Sequence, residues 1–269
     1  MSNIKILFRN ILDYATTTLV EETYTTNMGQ SNLTHAGRYY RFRSSEGELA
    51  PSIKFNLGGE VENITDVFVF NTNLENDANI RTYLYDADLQ AGSTLYDSTA
   101  VSVLTAGTTS LMGSNKTIHK SFTQVDGVMS GKIVLSDSGN VDNYVEASRA
   151  FVGTCWTPSI GVSYSSTDWG WGDTTTQYRT AGGSLRSDGG RRYREMTLNF
   201  DMLTEQEMLD LQEHCWYVGL EKDFAVACFS DFTGQMERDF IIQAKLTAKP
   251  VIKPIGFDYY SAKLDIAEV

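Results

Sequence analysis

Aromatic side chains cluster in one part of the sequence, in a stretch where glycines separate them. Three of the four tryptophans lie between residues 156 and 171. Rings in such a setting can stack on sugar rings, anchor a protein interface or fill the core of a β domain. The sequence does not choose among these three roles, so all of them stay open. The candidate interface or ligand residues of this cluster are Trp156, Tyr164, Trp169 and Trp171, with Tyr178 beside them.

The same region concentrates arginine in a chain whose formal net charge is −12. The segment from Gly182 to Tyr193 reads GGSLRSDGGRRY, and its glycines predict a loop or a hairpin tip. Arginine is favoured at interfaces because its planar guanidinium pairs with carboxylates. A basic patch on an acidic chain can support head-to-tail self-association, and it can equally be a solvated hairpin, so both interpretations stay open. The candidate interface arginines are Arg186, Arg191, Arg192 and Arg194, with Arg179 preceding them.

The residue sets that support known kinds of catalysis are missing from the sequence. It contains no Gly-x-Ser-x-Gly elbow, no His-Glu-x-x-His motif and no Walker phosphate-binding pattern. Its three histidines, His35, His119 and His214, are far apart along the chain. The 34 acidic residues leave a glycosidase carboxylate pair open as a less favoured alternative. We therefore expect no enzyme activity, no catalytic residue, no cofactor and no metal.

The charge balance limits the partners that the chain can bind. With an isoelectric point of about 4.7, it repels phosphate backbones and anionic membranes. No run approaches the ~20 apolar residues that a membrane-spanning helix needs. The first residues lack the long apolar stretch of a signal peptide. We expect no nucleic-acid partner, no membrane insertion and synthesis in the cytoplasm without a signal peptide.

Most of the elements that would position these residues are short strands. Residues 53–57 alternate between apolar and polar types, which is the period of a half-buried strand. Residues 67–70 form a continuous apolar run, typical of a strand buried on both faces. The composition changes near residue 149, where the aromatic cluster and the glycine-rich segment begin. The pattern predicts two β-rich domains, over residues 1–148 and 149–269.

The second domain contains the one clear helix signal. Thr204 and Glu207 have the spacing of a capping box, and Gly219 supplies a C-terminal stop. The spacing predicts a helix near residues 204–218, with a buried stripe formed by apolar residues from Met208 to Trp216.

The strand before this helix shows the clearest alternation in the chain. Met196, Leu198, Phe200 and Met202 alternate with polar residues, which predicts an amphipathic strand with all four side chains inward.

Part of the N-terminal half resembles a known β domain. The shared features are the stretch YYRFRSSEGELAPSIKFNLGG, whose apolar strand ends at Leu57, and then NLENDANIRTYLY with Ala78, Ile80 and Arg81. These residues are similar to the galactose-binding-like, or discoidin-like, jelly roll that is often fused in bacteriophage structural proteins. The resemblance implies an N-terminal jelly-roll β-sandwich. With the strand and helix patterns above, the expected fold class is mainly β: an N-terminal jelly-roll β-sandwich plus a C-terminal antiparallel β-rich domain with one α-helix.

A later stretch resembles the C-terminal region of tail proteins of long-tailed bacteriophages. FVGTCWTPSIGVSY through GGSLRSDGGRRYREMTLNFDMLTEQEM contains a Trp-x-Pro opening, a glycine-rich arginine hairpin, an alternating strand and a Leu-Thr-Glu helix start. The resemblance implies a distal-tail-like minor tail protein at the tail tip or baseplate. Such proteins form rings and bridge other tail proteins.

We therefore expect a non-enzymatic structural component of a virion tail. It would assemble with itself as a ring or trimer and contact other virion proteins, and its jelly roll would be an outward adhesion or decoration module. The main alternative is a carbohydrate-binding adhesion module for a host-surface glycan. That alternative predicts an exposed aromatic platform in a loop of either domain.

Overall fold

The computed structural model describes residues 4–14, 16–20, 24–37, 39–75, 78–88, 91–103, 116–163, 165–231 and 239–269. Its first ten strands are β1 (Lys5–Leu7), β2 (Thr18–Val20), β3 (Phe42–Arg43), β4 (Ser52–Asn56), β5 (Glu62–Thr72), β6 (Asn79–Tyr85), β7 (Thr94–Asp97), β8 (Val101–Ser102), β9 (Lys116–Val128) and β10 (Ser130–Ser136). The other ten are β11 (Glu146–Ala147), β12 (Arg149–Gly153), β13 (Asp168–Asp173), β14 (Thr176–Arg179), β15 (Leu185–Asp188), β16 (Arg192–Leu203), β17 (Phe224–Ala227), β18 (Ile241–Leu246), β19 (Val251–Gly256) and β20 (Tyr259–Glu268). The helices are α1 (Glu205–Val218) and two 3-10 helices, Ile11–Asp13 and Gln30–Thr34. None of the helices in these ranges is long and apolar enough to cross a membrane.

Two antiparallel sheets face each other in the first part of the chain. One has the order β2-β4-β10-β6-β7, with β8 also on β6, and the other has the order β12-β5-β9. Phe55, Leu84 and Ile133 of the first sheet share one apolar core with Val67 and Val69 of the second. This is a β-sandwich, in which the inward residues of two sheets interdigitate. The chain is mainly β with antiparallel sheets, which confirms the predicted fold class.

A second unit is built on a seven-stranded antiparallel sheet. Its order is β1-β17-β18-β20-β16-β13, and β19 pairs with β20. The helix α1 packs on one face of this sheet, where Leu211, Cys215 and Val218 join a core that contains Leu198 and Leu264. Helix and sheet each bury one apolar face against the other, which is the usual way such layers are stabilised.

The helix begins where its capping residues predict. Thr204 Oγ1 accepts a hydrogen bond from the Glu207 backbone N–H at 3.3 Å, and the Glu207 carboxylate accepts one from the Thr204 N–H at 2.8 Å. The same carboxylate accepts a hydrogen bond from the Ser159 N–H at 2.5 Å. Burial alone would raise the pKa of Glu207, but these hydrogen bonds hold that pKa below its ordinary value. The cap therefore also holds Ser159, which lies between β12 and β13, against the start of the helix.

The strand before the helix departs from the predicted alternation at its end. Met196, Leu198 and Phe200 are buried, but Met202 is 46% exposed. A β-bulge between Phe200 and Leu203 shifts the register, and Met202 has a φ of 64°. Because a bulge adds one residue to one strand, Leu203 takes the inward position instead.

The sandwich and the second unit are not separated by the predicted domain boundary between residues 148 and 149. The strand β12 begins at Arg149 and pairs with β5, so it belongs to the sandwich. At the other end, β1 pairs with β17 in the second sheet. The strand β1 was therefore predicted in the first domain but belongs to the second sheet. The strand β12 was predicted in the second domain but belongs to the sandwich. Pairing partners so far apart in sequence leave no local signal.

A third apolar cluster joins the sandwich to the second sheet. Phe68, Phe70 and Phe151 of the sandwich pack against Ala225 and Ile241 of the second sheet. We call this contact the seam. The strands β17 and β18 are consequently buried on both faces, by the core that they share with α1 on one side and by the sandwich on the other.

A buried ion-pair network also crosses the seam. Arg149 is 2% exposed, and its five N–H donors bond to Asp13, Asp223 and the Leu33 carbonyl at 2.6–3.1 Å. Asp223 accepts a further hydrogen bond from Gln243 at 2.8 Å. A buried charge is tolerated when its hydrogen-bonding groups are satisfied, and this guanidinium has an acceptor for each of its donors.

Candidate functional site

Trp156 is a core residue. It is 7% exposed, and its ring packs on Phe8 and Phe200 with centroid distances of 6.4 and 5.3 Å. Its backbone exchanges two hydrogen bonds with Ile6, at 2.8 and 3.0 Å. Of the roles left open for the aromatic cluster, Trp156 therefore has core packing, and no surface ligand can stack on its ring. Tyr164, the next residue of the cluster, lies outside the described residues.

Trp169 and Trp171 lie together on β13, at the edge of the second sheet. They are 53% and 67% exposed. Because side chains alternate along a strand, both rings lie on the same face, about 6.6 Å apart along the strand. We call this pair the aromatic platform. In the described residues β13 pairs with β16 alone, so its other side is an open edge.

The ring of Trp169 is held in place by buried neighbours. It stands edge-on to Phe229 and Phe240, with centroid distances of 6.0 and 5.3 Å and interplanar angles of 86° and 80°. Edge-to-face contacts of this kind stabilise aromatic pairs. A ligand that stacks on Trp169 meets a ring that is already ordered, which reduces the entropy lost on binding.

Arg194 lies next to the platform as part of an internal ion pair. It is the register partner of Trp171, so the two side chains are on the same face of the sheet. Its guanidinium donates to the Glu268 carboxylate at 2.7 Å and to the Asp239 carbonyl at 2.8 Å. Arg194 is therefore not a free surface cation. It forms a fixed polar group at the foot of the platform.

A cavity of about 490 Å³ lies along β13. Its lining includes both tryptophans and the carboxylates of Asp168, Glu195 and Asp265. A hydrogen bond from Thr197 to Asp265, 2.7 Å long, holds the pKa of that carboxyl below its ordinary value. Asp168 and Gly170 alternate with the tryptophans, so they lie on the opposite face of the strand. Because β13 is an edge strand, one ligand can contact both faces.

The other candidate arginines lie on or beside the hairpin formed by β14 and β15. All eight residues of these two strands are exposed. In the part of the chain that the structure describes, Arg186 and Arg191 are in no ion pair, whereas Arg192 lies 3.4 Å from Asp173. The structure thus separates the predicted arginine group into one internal residue, Arg194, and an exposed hairpin set.

The buried histidine and cysteine side chains offer no reactive nucleophile. His119 Nε2 lies 2.8 Å from the Asp66 carboxylate, and Lys5 Nζ lies 3.1 Å from it. Burial raises the pKa of the Cys215 and Cys228 thiols to about 12. Because the thiolate is the reactive form, these two cysteines are inert near neutral pH.

Exposed aromatic side chains elsewhere in the described residues were missed by the sequence analysis. Tyr39 and Tyr40 are 85% and 50% exposed in a loop of the sandwich, and His35 stacks on Tyr40 at 4.5 Å. Trp216, predicted in the buried stripe of the helix, is 90% exposed. The helical period itself contained the signal, because Trp216 falls on the face opposite the buried Leu211.

No protein-family model and no curated protein matches the sequence. Solved structures match about half of it. A glycoside hydrolase family 29 fucosidase of Ruminococcus gnavus, in complex with fucose, has a TM-score of 0.40 at 11% identity, covering 54% of this chain and 26% of the fucosidase. Chitosan-binding module 1 of a Paenibacillus chitosanase/glucanase has a TM-score of 0.39 at 16% identity, covering 54% of this chain and 98% of the module. A family 32 carbohydrate-binding module of C. perfringens NanJ, in complex with galactose, has a TM-score of 0.38 at 9% identity, covering 55% and 98%.

Proposed function

We propose that this protein is a non-catalytic carbohydrate-binding module whose ligand stacks on the aromatic platform. The observation that carries the proposal is that Trp169 and Trp171 are both exposed on one face of an edge strand, with Trp169 held edge-on by buried phenylalanines. Sugar rings present C–H faces, which pack against aromatic faces. Two rings about 6.6 Å apart along the strand extend the stacking surface beyond one sugar unit.

Hydrogen-bonding groups for the sugar hydroxyls lie on both sides of the platform. The Arg194–Glu268 pair lies beside Trp171, and its geometry is fixed before any ligand arrives. The carboxylates of Asp168 and Glu195 line the adjoining cavity. An apolar surface with a few convergent polar groups is the usual composition of a small-molecule site.

The carboxyl group of Asp265 does not fit the general acid of a glycosidase. A glycosidase needs one carboxyl group with a raised pKa as its general acid, next to a second, ionised carboxylate. Among the cavity carboxylates, the pKa of Asp265 is shifted in the opposite direction by its hydrogen bond from Thr197. The proposal therefore assigns no reaction to this protein.

A glycan array followed by calorimetry on the full chain tests this function. We expect binding to one class of oligosaccharide, and we expect Trp169→Ala and Trp171→Ala to weaken it about ten- to a hundredfold, as for aromatic anchors that a ligand covers. Trp216→Ala is the matched control, since it removes an exposed tryptophan from another surface and should leave the affinity unchanged. Silence on a broad array, or equal loss in the control, would overturn the proposal.

A second candidate function is assembly as a structural component of a virion tail. The observation that favours it is the hairpin of β14 and β15, whose two strands are exposed throughout although they include Tyr178 and Leu185. An exposed arm of this kind is typical of a protein that contacts a neighbour. The solution mass of the purified chain, measured over a range of concentrations, discriminates this function from glycan binding by a monomer.

A further inference from the structure

The open edge of β13 exposes the backbone of its two tryptophans. The Thr174 N–H donates to the Arg191 carbonyl at 3.1 Å, one position beyond the last register pair of β13 and β16. In an antiparallel ladder, residues that hydrogen-bond to the neighbouring strand alternate with residues that do not. Counting back from Thr174, the even-numbered residues of β13 bond to β16. The backbone N–H and C=O groups that point away from β16 are therefore those of Trp169, Trp171 and Asp173.

The neighbouring strand has the same phase. Arg194 of β16 is the register partner of Trp171. Its backbone N–H donates to the Glu268 carboxylate of β20 at 3.0 Å, on the side away from β13. The backbones of Trp171 and Arg194 therefore point in opposite directions, and that of Trp171 faces the open edge.

The strand β13 lacks features that commonly keep an edge strand from pairing. Its six residues include no proline and no lysine, and its pairing with β16 has no register shift. The two carboxylates, Asp168 and Asp173, lie at its ends. Between the tryptophans, a Cβ added to Gly170 would meet nothing within 4 Å. A regular edge with exposed apolar side chains is a template for a further strand.

A second copy of β13 fits this edge. Two identical edge strands related by a two-fold axis pair antiparallel, and their outward-pointing residues must face each other. An axis at Gly170 or at Trp171 meets this condition and places a tryptophan of one copy directly opposite a tryptophan of the other. Such aromatic cross-strand pairs stabilise sheets. Neither position sets two carboxylates opposite each other, whereas an axis at Asp173 would.

We propose that two copies of this chain pair edge to edge through β13, so that one sheet continues across both. The contact uses the same edge of each copy and therefore closes at two, unlike the ring or trimer expected of a tail component. Directly opposed residues share a face, so the aromatic platforms of the two copies form one surface. The pairing is independent of carbohydrate binding, and only the binding of one long glycan across both platforms rests on the proposed function.

Light scattering over a concentration series, without any sugar, tests the pairing. We expect the mass to rise from the 30.0 kDa of one chain to twice that value and no further. Each copy has a formal net charge of −12, so added salt should strengthen the association by screening the repulsion.

Two substitutions at one position separate the backbone from the side chain. Trp171→Pro removes an N–H that points away from β16, a place where an edge strand tolerates proline, and Trp171→Ala keeps that N–H. Because the two-fold axis removes the donor from both copies, the proline variant should pair at least about tenfold more weakly than the alanine variant. Circular dichroism checks that both variants fold, and equal association of the two would overturn the inference.

Amide hydrogen exchange of the wild type gives a second readout that needs no variant. The amides of Trp169 and Trp171 become hydrogen-bonded in the pair, so their exchange should slow as the protein concentration rises. The amides of Gly170 and Gly172 bond to β16 and should be protected at every concentration. Exchange at the tryptophans that does not depend on concentration, or a mass that stays at one chain or exceeds two, would overturn the pairing. A single chain that binds glycans would leave the proposed function standing, and a pair that binds none would remove the proposed function alone.

Discussion

At the scale of single residues, Asp66 is a buried carboxylate whose pKa is set by its neighbours. It has no exposed surface, and it contacts Lys5, His119 and Thr65. Burial alone would raise its pKa, but the hydrogen bond and charge of His119, together with Lys5, lower the pKa to about 2. Lys5 belongs to β1, which is part of the second sheet, so this ion pair also crosses the seam.

We predict that Asp66 makes an acid-labile contribution to stability. A carboxyl with a pKa of about 2 when folded and 3.8 when unfolded favours the folded state above about pH 4, and this contribution is lost as the pH falls towards 2. The shift corresponds to roughly 2 kcal/mol. The free energy of unfolding should therefore fall between pH 4 and pH 2 by about that much more in the wild type than in Asp66→Asn. Urea titrations at pH 7, 4 and 2 measure this, and parallel pH profiles would contradict it.

At the scale of elements, two strands contain glycines with opposite surroundings. Gly131 of β10 lies between its register partners Phe55 and Leu84, and an added Cβ would lie 2.3 Å from the Phe55 ring. Gly170 of β13 faces open space, where an added Cβ would meet nothing within 4 Å. One glycine is therefore required by core packing, and the other leaves room beside the proposed ligand.

We predict opposite outcomes for substitution at these two glycines. Gly131→Ala should lower the free energy of unfolding by about 1–3 kcal/mol, because the buried ring of Phe55 cannot move aside. Gly170→Val should leave stability equal or slightly higher, since a β-branched residue suits a strand. The added side chain fills part of the cavity, so glycan affinity should drop. Thermal denaturation measures the stability of the two variants, and calorimetry measures their glycan affinity. Unchanged affinity in the Gly170→Val variant would mean that the ligand contacts only the face of β13 that carries the tryptophans.

The sequence was sufficient for elements whose signals are local. Thr204 and Glu207 lie three residues apart, so the start of α1 could be predicted from composition and spacing alone. The aromatic platform could be predicted only in part. Trp156 and Trp169 have the same residue type and similar glycine-rich surroundings, so the sequence does not show which of the two is exposed. What separates them is burial by Phe8 and Phe200, which come from distant parts of the chain. Exposure of this kind depends on tertiary packing and has no local pattern.

At the scale of the whole molecule, the sandwich and the second sheet are coupled through the seam. The chain enters the second sheet through β1, builds the sandwich and then returns to the second sheet. The aromatic residues of the seam pack against β17 and β18, and Arg149 joins both units through Asp13 and Asp223. A domain boundary at residue 149 would cut through this network. We therefore expect the two units to unfold together.

Arg149→Met tests this coupling. Removing the cation leaves the buried Asp223 with Gln243 as a partner but no countercharge, which should cost about 3–5 kcal/mol. A second substitution, Asp223→Asn, removes the charge that was left without a countercharge and should recover part of that loss. The loss of unfolding free energy in the double variant should therefore be smaller than the sum of the two single losses. Tryptophan fluorescence follows the second unit and far-ultraviolet circular dichroism follows all strands, and the two transitions should coincide in the wild type. Separate transitions, or strictly additive losses, would mean that the network does not hold the two units together.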